Sequence, residues 1–444
     1  MKKRNWTRRE VITTLAQATA GLALSGMGMP TRAWSRLVSN IASADSGLFV
    51  HLVIEGGADM LQGLDPFLMP PKADDNDLWR GYRDADILEA AGIRLGPAAR
   101  GLAPHIQDLA LIRGIWMSTA DEMTHEFCRA YCSSGMFTDR ESSQSFVTEV
   151  SLRDTLSPTR AVVNAALEFR GVPAPTYSLI SDLSHAPSQD LQDRGALGGL
   201  SSSFSVPSLA LSRESFASSG PATQKLWQTI QTLAGASPPS EEIVMAAALA
   251  CGHTRTAQLN LGGDYIGTIP SSVNLDTHQN HDTLHLAAQT GYWNRVAAIF
   301  NLFKSVQYMG TKDTLFDHTT FLVTNDFSRP PMLNSAGGKD HNCQTNSVLL
   351  AGRGVIGGQC VGGSELVRRS ETQNGIPLLV GMPVDFKTRA TLTRAQTAVL
   401  GSPHASVRLL VPENVILTLA RGMGFSDYPW ISRSDIDPIP GVMK

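Results

Sequence analysis

Runs of apolar, β-branched residues that end in glycine or an acidic residue constrain the fold of this chain most. Residues 47–55 (GLFVHLVIE) lead into a Gly-Gly turn and Asp59, and residues 319–324 (TTFLVT) lead into Asp326. Such runs are typical of strands that are buried on both faces, which occur in parallel sheets covered by helices. Ligands bind beyond the carboxyl ends of such strands, so the polar residues after each run are candidates for a functional site.

Other segments predict that strands and helices alternate along the chain. Strands are predicted at 108–115, 256–261 and 347–351, and helices at 215–234, at 241–251 and after residue 281. The last helix carries an apolar stripe at helical spacing, which predicts a core-facing surface: Tyr292, Val296, Ile299, Phe300 and Phe303. This alternation predicts an α/β fold with a mainly parallel central sheet flanked by helices. Residues 140–240 are rich in Ser, Gly and Pro and are predicted to form an elaboration on one edge of the core, or a lid.

The amino-terminal segment has the pattern of an export signal. It begins with Met1-Lys2-Lys3-Arg4, carries the pair Arg8-Arg9, and continues into a modest apolar stretch at 11–29. The small-x-small motif Ala42-Ser43-Ala44 offers a cleavage site. We therefore expect residues 1–44 to be a twin-arginine signal peptide, with the translocase of that route as partner and a periplasmic or extracytoplasmic location. A membrane anchor is the alternative, which the glycines and Pro30 disfavour.

Composition excludes two classes of protein. The net charge is −3, which does not favour nucleic-acid binding by bulk electrostatics. The five cysteines are odd in number and irregularly spaced, unlike a small disulfide scaffold. Cys128 and Cys132 are predicted one helical turn apart, and we expect both to be buried thiols.

Asp and His residues follow predicted strands or turns in four separate segments. These segments contain Asp59, the pair Thr124-His125, the run Asp276-Thr277-His278, and Asp326 with the pair Asp340-His341. Carboxylate and imidazole groups are suitable ligands for zinc, manganese or iron. Such ions assist ester hydrolysis, because they polarise the ester oxygen and lower the pKa of water.

The order of these motifs resembles that of a known family. The pieces are IEGGADML, THEFCRAYCSSG, NLDTHQNH, TNDFSRPPMLNSAGGKDHN and VIGGQCVGG. They look like the domain of unknown function 1501 family, which is exported by the twin-arginine route and placed in the alkaline phosphatase and sulfatase superfamily. The resemblance covers residues 47–425. It implies that residues 45–444 form a single domain with an alkaline-phosphatase-like core. It also implies that this domain binds one or two divalent metal ions, which would be zinc, manganese, iron or calcium.

The resemblance also implies roles for particular residues. It matches metal ligands at six positions: Asp59, Asp276, His278, Asp326, Asp340 and His341. Thr124 lies where the superfamily places its nucleophile, and His125 follows it. Arg329 would contact an anionic ester.

Three features depart from the superfamily pattern. Phe327 stands where many metal-dependent members have a histidine, so one ligand of a two-metal site is missing. Residues 262–273 look like an insertion before Asp276. Residues 119–122 (TADE) form a capping-box pattern, and a helix beginning there would enclose Thr124 and make it a poor nucleophile.

Each candidate has a simpler structural alternative. Asp59 could cap a turn, His125 could be a helix-surface or core histidine, and Asp340-His341 could be a polar loop tip. Arg329 could pair with a surface carboxylate instead of an anion. His281 and His285 are spaced i, i+4, which we interpret as a solvated helix face.

The sequence thus predicts an exported metal-dependent hydrolase that acts on a small phosphate or sulfate ester. Two rivals remain at this point. One is a non-catalytic envelope protein for binding or scaffolding that keeps the fold. The other is a redox protein, suggested only by the export route and Cys128/Cys132, with no Cys-x-x-Cys motif in support.

Overall fold

The strands of the chain agree closely with the apolar runs of the sequence. A computed structural model describes residues 47–68, 77–118, 123–135, 145–153, 161–163, 177–179, 220–237, 239–261, 275–372, 374–399, 406–425 and 436–444. Its strands are β1 Leu48–Ile54, β2 Leu88–Ala90, β3 Ile93–Leu95, β4 Leu109–Arg113, β5 Ala161–Val163, β6 Tyr177–Leu179, β7 Thr256–Asn260, β8 Thr319–Asn325, β9 Ser347–Gly352, β10 Gln359–Gly362, β11 Ser364–Val367, β12 Leu378–Gly381, β13 Val384–Asp385 and β14 Val407–Arg408.

Eight α-helices are present among the described residues. They are α1 His125–Ser134, α2 Phe146–Arg153, α3 Gly220–Ala234, α4 Glu241–Ala250, α5 His281–Ser305, α6 Leu315–His318, α7 Arg394–Val399 and α8 Pro412–Gly422. Three further segments are 3₁₀ helices: Asp84–Asp86, Pro97–Asp108 and Arg369–Glu371. Among the described residues, no helix is both long enough and apolar enough to cross a bilayer.

Eight of the described strands form one sheet, in the order β10-β4-β9-β8-β1-β7-β5-β6. β1 pairs in parallel with both β7 and β8, and β5 pairs in parallel with β6 and β7. β9 runs antiparallel to its neighbours β8 and β4. The prediction of an α/β fold with a mainly parallel sheet is confirmed.

Strand register brings the polar segments to one edge of the sheet. Ile54 at the end of β1 lies opposite Asn325 at the end of β8. Arg113 at the end of β4 lies opposite Ser347 at the start of the antiparallel β9. The segments after β1, β4 and β8 and the segment before β9 therefore meet at the same edge, which is where α/β sheets build sites.

Alternation along each strand divides the core into two layers. In β1, Leu48, Val50 and Leu52 pack on one face of the sheet with α5 and the segment 97–108, while Phe49 packs on the other with α2 and α8. Side chains of a strand point alternately to its two faces, so a strand buried on both sides is apolar throughout.

Helix α5 confirms one prediction and overturns another. The predicted stripe is buried, with Phe300 and Phe303 at 0% exposure. His281 and His285 at its beginning are also at 0% exposure, so the interpretation as a solvated helix face is wrong. Residues three or four apart share a face whether that face meets solvent or core, and here it meets the core.

Parts of the predicted elaboration at 140–240 extend the sheet. Strands β5 and β6 form the end of the sheet beyond β7, and α2 packs beside β1. Most of 154–219, the suggested insertion at 262–273, the capping-box residues 119–122 and the predicted signal peptide at 1–44 lie outside the described residues.

Candidate metal centre

Helix α1 places its first residue, His125, at the carboxyl edge of the sheet. The helix begins after Thr124, whose hydroxyl oxygen accepts a hydrogen bond from the Phe127 N–H at 3.3 Å. Thr124 is thus the cap of the helix, which satisfies one of its unpaired N–H groups. The hydroxyl that the sequence suggested as a nucleophile already has this structural task.

Two loops meet beside His125 and pair with each other through their backbones. The His281 N–H donates to the Gly337 oxygen at 2.8 Å, and the Lys339 N–H donates to the Thr277 oxygen at 3.1 Å. Gly338 is needed for this approach, because a Cβ atom there would lie 1.8 Å from the His278 carbonyl oxygen. The first loop presents Asp276 and His278, and the second presents Asp340 and His341.

One carboxylate oxygen is the meeting point of three imidazole rings. Asp276 Oδ1 lies 3.2 Å from His125 Nε2, 3.1 Å from His278 Nε2 and 3.9 Å from His341 Nε2. The His278 and His341 Nε2 atoms are 3.2 Å apart. We call His125, Asp276, His278 and His341 the central cluster.

The outer nitrogen of each of these rings faces an oxygen that only accepts hydrogen bonds. His125 Nδ1 lies 2.7 Å from Asp326 Oδ2, His278 Nδ1 lies 3.0 Å from Asp340 Oδ1, and His341 Nδ1 lies 3.2 Å from the Met123 carbonyl oxygen. Each Nδ1 therefore carries its hydrogen, and in the neutral ring each Nε2 presents a lone pair. Metal-binding histidines are typically held in this way, with the second nitrogen donating to a carboxylate or carbonyl.

The central cluster fits a divalent cation. Ligand atoms around a tetrahedral zinc at 2.0–2.1 Å lie about 3.3 Å from one another, close to the spacing of the inner atoms here. The chosen ligand atoms of His125, Asp276 and His341 all lie within 4.8 Å of one another. The buried His125 Nε2 makes no hydrogen bond of acceptable geometry, although Asp276 lies beside it. The Nε2 atoms of His278 and His341, 3.2 Å apart, both carry lone pairs in the neutral rings. This arrangement is favourable only when positive charge lies between the two nitrogens.

Protonation also follows from these contacts. Burial and the positive charges of Arg329 and His125 lower the pKa of His341 to about 4, so its ring is neutral. Burial disfavours the charged form of His125, but the hydrogen bond to Asp326 and the negative charges of Asp326 and Asp276 raise its pKa to about 9. Burial also opposes ionisation of Asp276, yet the hydrogen bond from Arg329 and the positive charges of Arg329 and His125 hold the pKa of Asp276 below its usual range. A cation bound here would replace the proton of His125.

Asp326 supports the central cluster from behind. Its Oδ2 accepts from the Gly56 N–H at 2.9 Å as well as from His125, and its Oδ1 lies 3.7 Å from Arg129 Nε. Arg129 also forms an ion pair with Glu55. Asp326 is therefore committed to a histidine, a backbone N–H and a guanidinium group.

Arg329 is a buried strut and does not face solvent. It has 0% exposure, and its five N–H donors are engaged by the carbonyl oxygens of Gly56, Gly57, Leu275, Lys339 and Asp340 and by Asp276 Oδ1. One side chain thus ties the β1 loop to both loops of the central cluster. The predicted contact with an anionic ester needs a free donor, which this arrangement does not provide.

Asp59 lies apart from the central cluster. Its fully buried Oδ2 accepts from Lys339 Nζ at 2.8 Å and from His281 Nε2 at 3.0 Å. Burial opposes ionisation, but Lys339 and His281 hold the pKa of Asp59 below its usual range. An ammonium group already compensates the charge of this carboxylate, so the structure does not favour its predicted role as a metal ligand.

Phe327 occupies the position of the expected second-site histidine and has a packing role. Its ring is fully buried, with centroids 4.6 Å from His125 and 4.1 Å from His341. At Gly57, where φ is +75°, an added Cβ would lie 2.6 Å from the Phe327 ring. The side chain restricts two rings of the central cluster, and glycine leaves room for it.

The cysteines near the site agree with the expectation of buried thiols. All five are free, and Cys128, Cys132 and Cys343 are buried. Cys128 Sγ lies 3.9 Å from Cys343 Sγ. Desolvation and neighbouring groups raise the pKa of the Cys132 thiol, which keeps it unreactive.

The structure thus brings together six of the nine predicted site residues: His125, Asp276, His278, Asp326, Asp340 and His341. It gives Thr124 a capping role, Arg329 a supporting role and Asp59 a partner elsewhere. Lys339 and Arg129 were not identified from the sequence. Both residues lie inside the quoted motifs, but the sequence gives no sign of their roles, because their carboxylate partners Asp59 and Glu55 lie far along the chain.

Comparisons with known proteins agree with the expected resemblance in part of the chain. Residues 214–378 match the family model described as "Protein of unknown function (DUF1501)". No curated protein matches the sequence. Among solved structures, the chain is similar to a protein in the alkaline phosphatase superfamily from Vibrio parahaemolyticus, with 11% identity, 80% of this chain and 84% of that chain covered, and a TM-score of 0.33. It is also similar to the lipoteichoic acid synthase LtaP from Listeria monocytogenes, with 10% identity, coverage of 72% and 69%, and a TM-score of 0.30.

Proposed function

We propose that this protein binds one divalent metal ion at the central cluster and hydrolyses a small phosphate or sulfate ester there. The observation that carries the proposal is the convergence of three Nε2 atoms on Asp276 Oδ1, each ring being held by its Nδ1 atom. When bound, the ion supplies Lewis acidity to an ester oxygen and makes water a better nucleophile at neutral pH.

The ligands would be Asp276 and the three histidines of the central cluster. Asp326, Asp340 and the Met123 carbonyl orient the rings, and Phe327 limits their rotation. Rings that are held before the ion arrives lose little freedom on binding, which favours affinity.

The charges around the cluster favour one ion over two. Asp59 is paired with Lys339, and Asp326 lies beside Arg129 and accepts from His125. Phe327 supplies no ligand atom. Each carboxylate that a second ion would need is already compensated by a side-chain cation.

Access to the cluster is from the side of His278. The side chains of His278 and Asp340 are 45% and 63% exposed, while His125 is 22% exposed. A small anionic ester would approach from there, near the positive amino-terminal end of α1. Water activated by the ion is the proposed nucleophile, and the Thr124 hydroxyl, which caps the helix, is the alternative.

Export remains part of the proposal. It rests on the Arg8-Arg9 pair, the apolar stretch and the cleavage motif at 42–44. A protein exported in the folded state would acquire its ion before crossing the membrane, and the periplasm would be its place of work.

A second candidate is a non-catalytic envelope protein that keeps the metal. Phe327 removes a ligand that a two-metal hydrolase would use, and the Thr124 hydroxyl is engaged as a cap. This candidate shares the metal site and differs only in lacking turnover.

Metal content and ester hydrolysis together test the proposal. Inductively coupled plasma mass spectrometry on protein purified without chelator is expected to give one equivalent of zinc, manganese, iron or calcium. His341→Ala should lose the ion, while His318→Ala, which changes an imidazole paired with Asp313 away from the cluster, should keep it.

Hydrolysis of p-nitrophenyl phosphate or p-nitrophenyl sulfate that falls with His341→Ala supports the enzyme. Bound metal without turnover on either ester class favours the non-catalytic candidate. A folded protein that neither contains nor takes up metal rules out both.

A further inference from the structure

A buried polar network lies behind the central cluster and contacts both of its loops. Asp59 N–H donates to His285 Nε2 at 3.1 Å, and His285 Nδ1 lies 2.8 Å from Thr277 Oγ1. Thr277 Oγ1 lies 2.7 Å from His281 Nδ1, and His281 Nε2 lies 3.0 Å from Asp59 Oδ2. These four residues form a closed ring of hydrogen bonds, which we call the Asp59 ring.

The direction of every hydrogen bond in the Asp59 ring is determined by its donors. The Asp59 N–H can only donate, so His285 carries its hydrogen on Nδ1 and donates to Thr277. The Asp59 carboxylate can only accept, so His281 carries a hydrogen on Nε2. Burial lowers the pKa of His281, so its ring is neutral and its Nδ1 accepts from the Thr277 hydroxyl. Asp59 and Lys339 are therefore the charged groups among these five residues.

The network touches the central cluster through chain neighbours. Thr277 lies between Asp276 and His278, and Lys339 directly precedes Asp340 and His341. Lys339 Nζ donates to Asp59 Oδ2 at 2.8 Å and to the Trp79 carbonyl oxygen at 3.2 Å. All polar side chains of the network except Thr277 are at 0% exposure, and Thr277 is at 7%.

We propose that the Asp59–Lys339 ion pair and the Asp59 ring are a positioning device that holds the two loops of the central cluster in register for metal binding. The inference rests on the proposed function, because it takes the central cluster as the metal site. The Asp59 ring holds Thr277, and the ion pair holds Lys339. Both loops are therefore anchored to one carboxylate, that of Asp59 on the β1 loop.

The device is distinct from a second metal site or a catalytic group. Lys339 has no exposed surface and faces Asp59, so neither its ammonium group nor that carboxylate can reach an ester. A buried charge that loses its partner is strongly destabilising, whereas removing both charges together leaves none uncompensated. If the pair acts as one device, either single change already removes it, so the double variant separates positioning by the pair from independent effects of the two residues.

The test compares Lys339→Met, Asp59→Asn and the double variant by cobalt(II) titration of the full chain. Each single change is expected to weaken cobalt affinity about 10–100-fold, the usual effect of losing support behind metal ligands, and to alter the visible absorption band. The double variant is expected to bind cobalt about as weakly as either single variant, because each single change already removes the pair. Phe303→Leu, a core change at the far end of α5, should lower the melting temperature without changing cobalt affinity.

Hydrogen exchange gives a readout that needs no metal. The amides of His281 and Lys339 join the two loops, so Lys339→Met is expected to speed their exchange about tenfold or more while the amides of β9 keep their rates. This measurement decides the inference even if the wild-type protein binds no cobalt, a result that would count against the proposed function alone.

Three outcomes would overturn the inference. Lys339→Met could keep wild-type cobalt affinity and absorption band. The losses of the two single variants could simply add in the double variant, which would show that the residues act separately. Exchange at His281 and Lys339 could remain at the wild-type rate in Lys339→Met.

Discussion

His125 and Asp326 form a histidine–carboxylate pair, with Nδ1 and Oδ2 2.7 Å apart and the opposite ring nitrogen facing Asp276. Asp326 is 1% exposed and also accepts from the Gly56 N–H, so its position is fixed by the end of β1. The pair therefore sets both the rotation of the imidazole and the nitrogen that carries hydrogen. Support of this kind is worth nearly as much to a metal site as the ligands themselves.

Replacing Asp326 by Asn is expected to weaken metal binding without removing a ligand. The amide keeps the size of the side chain but makes His125 a less basic ligand, so zinc affinity should fall about 10–100-fold. Competition with a chromophoric chelator measures the change. Asp340→Asn is the matched control, because the Asp340 side chain is 63% exposed and its support of His278 is solvated. Equal losses in the two variants would contradict this account.

Arg329→Met is expected to cost about 3–5 kcal/mol in the free energy of unfolding, the usual effect of breaking a buried ion pair. The change leaves Asp276 without its guanidinium partner and removes donors from five backbone carbonyl oxygens. Urea denaturation measures it. Arg83→Met removes a surface pair with Asp86, in which the Arg83 side chain is 84% exposed, and should leave the free energy of unfolding nearly unchanged. Similar losses in the two variants would show that Arg329 does not stabilise the fold by joining these loops.

Much of this architecture could be read from the sequence. β1 and β8 are central strands covered on both faces, so their sequences are largely apolar or β-branched and easily recognised. Asp326 follows β8 directly, and Asp276 and His278 are two residues apart, so local patterns identified them as candidates. His341 followed from the same logic, since it precedes a strand at the same edge.

The sequence does not reveal the role of a side chain whose contacts come from residues far along the chain. Asp59 has a carboxylate in a glycine-rich turn, which looks the same whether a metal or an ammonium group compensates it. Its partner Lys339 is 280 residues away, and the motif that contains Lys339 does not show which carboxylate it pairs with. His281 and His285 were misplaced for a related reason, since their spacing describes a shared face but not what covers it.

Stability is expected to depend on pH through His253, in the turn before β7. Burial lowers the pKa of His253 to about 4 from an ordinary 6.5, and the residue is 2% exposed. The folded state therefore binds this proton less readily than the unfolded state. The contribution of His253 to the free energy of unfolding is fully present above pH 6.5. It is lost as pH falls from 6.5 towards 4, which lowers the free energy of unfolding by up to about 3 kcal/mol.

His253→Gln should flatten this part of the pH profile. Other groups also titrate, so the quantity to compare is the difference in slope between wild type and variant, expected to be about 1.4 kcal/mol per pH unit at most. Urea unfolding at pH 7.5, 6, 5 and 4 provides both slopes. Parallel profiles would show that His253 does not contribute.

Removing the metal is expected to lower the melting temperature of the wild-type protein. An ion that binds the folded state alone, present at 100 times its dissociation constant, stabilises that state by about 2.7 kcal/mol. Calorimetry with and without a chelator measures this contribution. Asp276→Asn should melt at the same temperature in both conditions, because a neutral amide replaces the carboxylate on which three rings converge.

The Asp59–Lys339 pair gives the control for that measurement. Its two charges compensate each other without a metal, so an effect of the chelator should come from the central cluster alone. Asp59→Asn should therefore lower the melting temperature of the metal-free protein and keep a reduced response to chelator, whereas Asp276→Asn should lose that response. A chelator response that survives in Asp276→Asn would place the ion at another site.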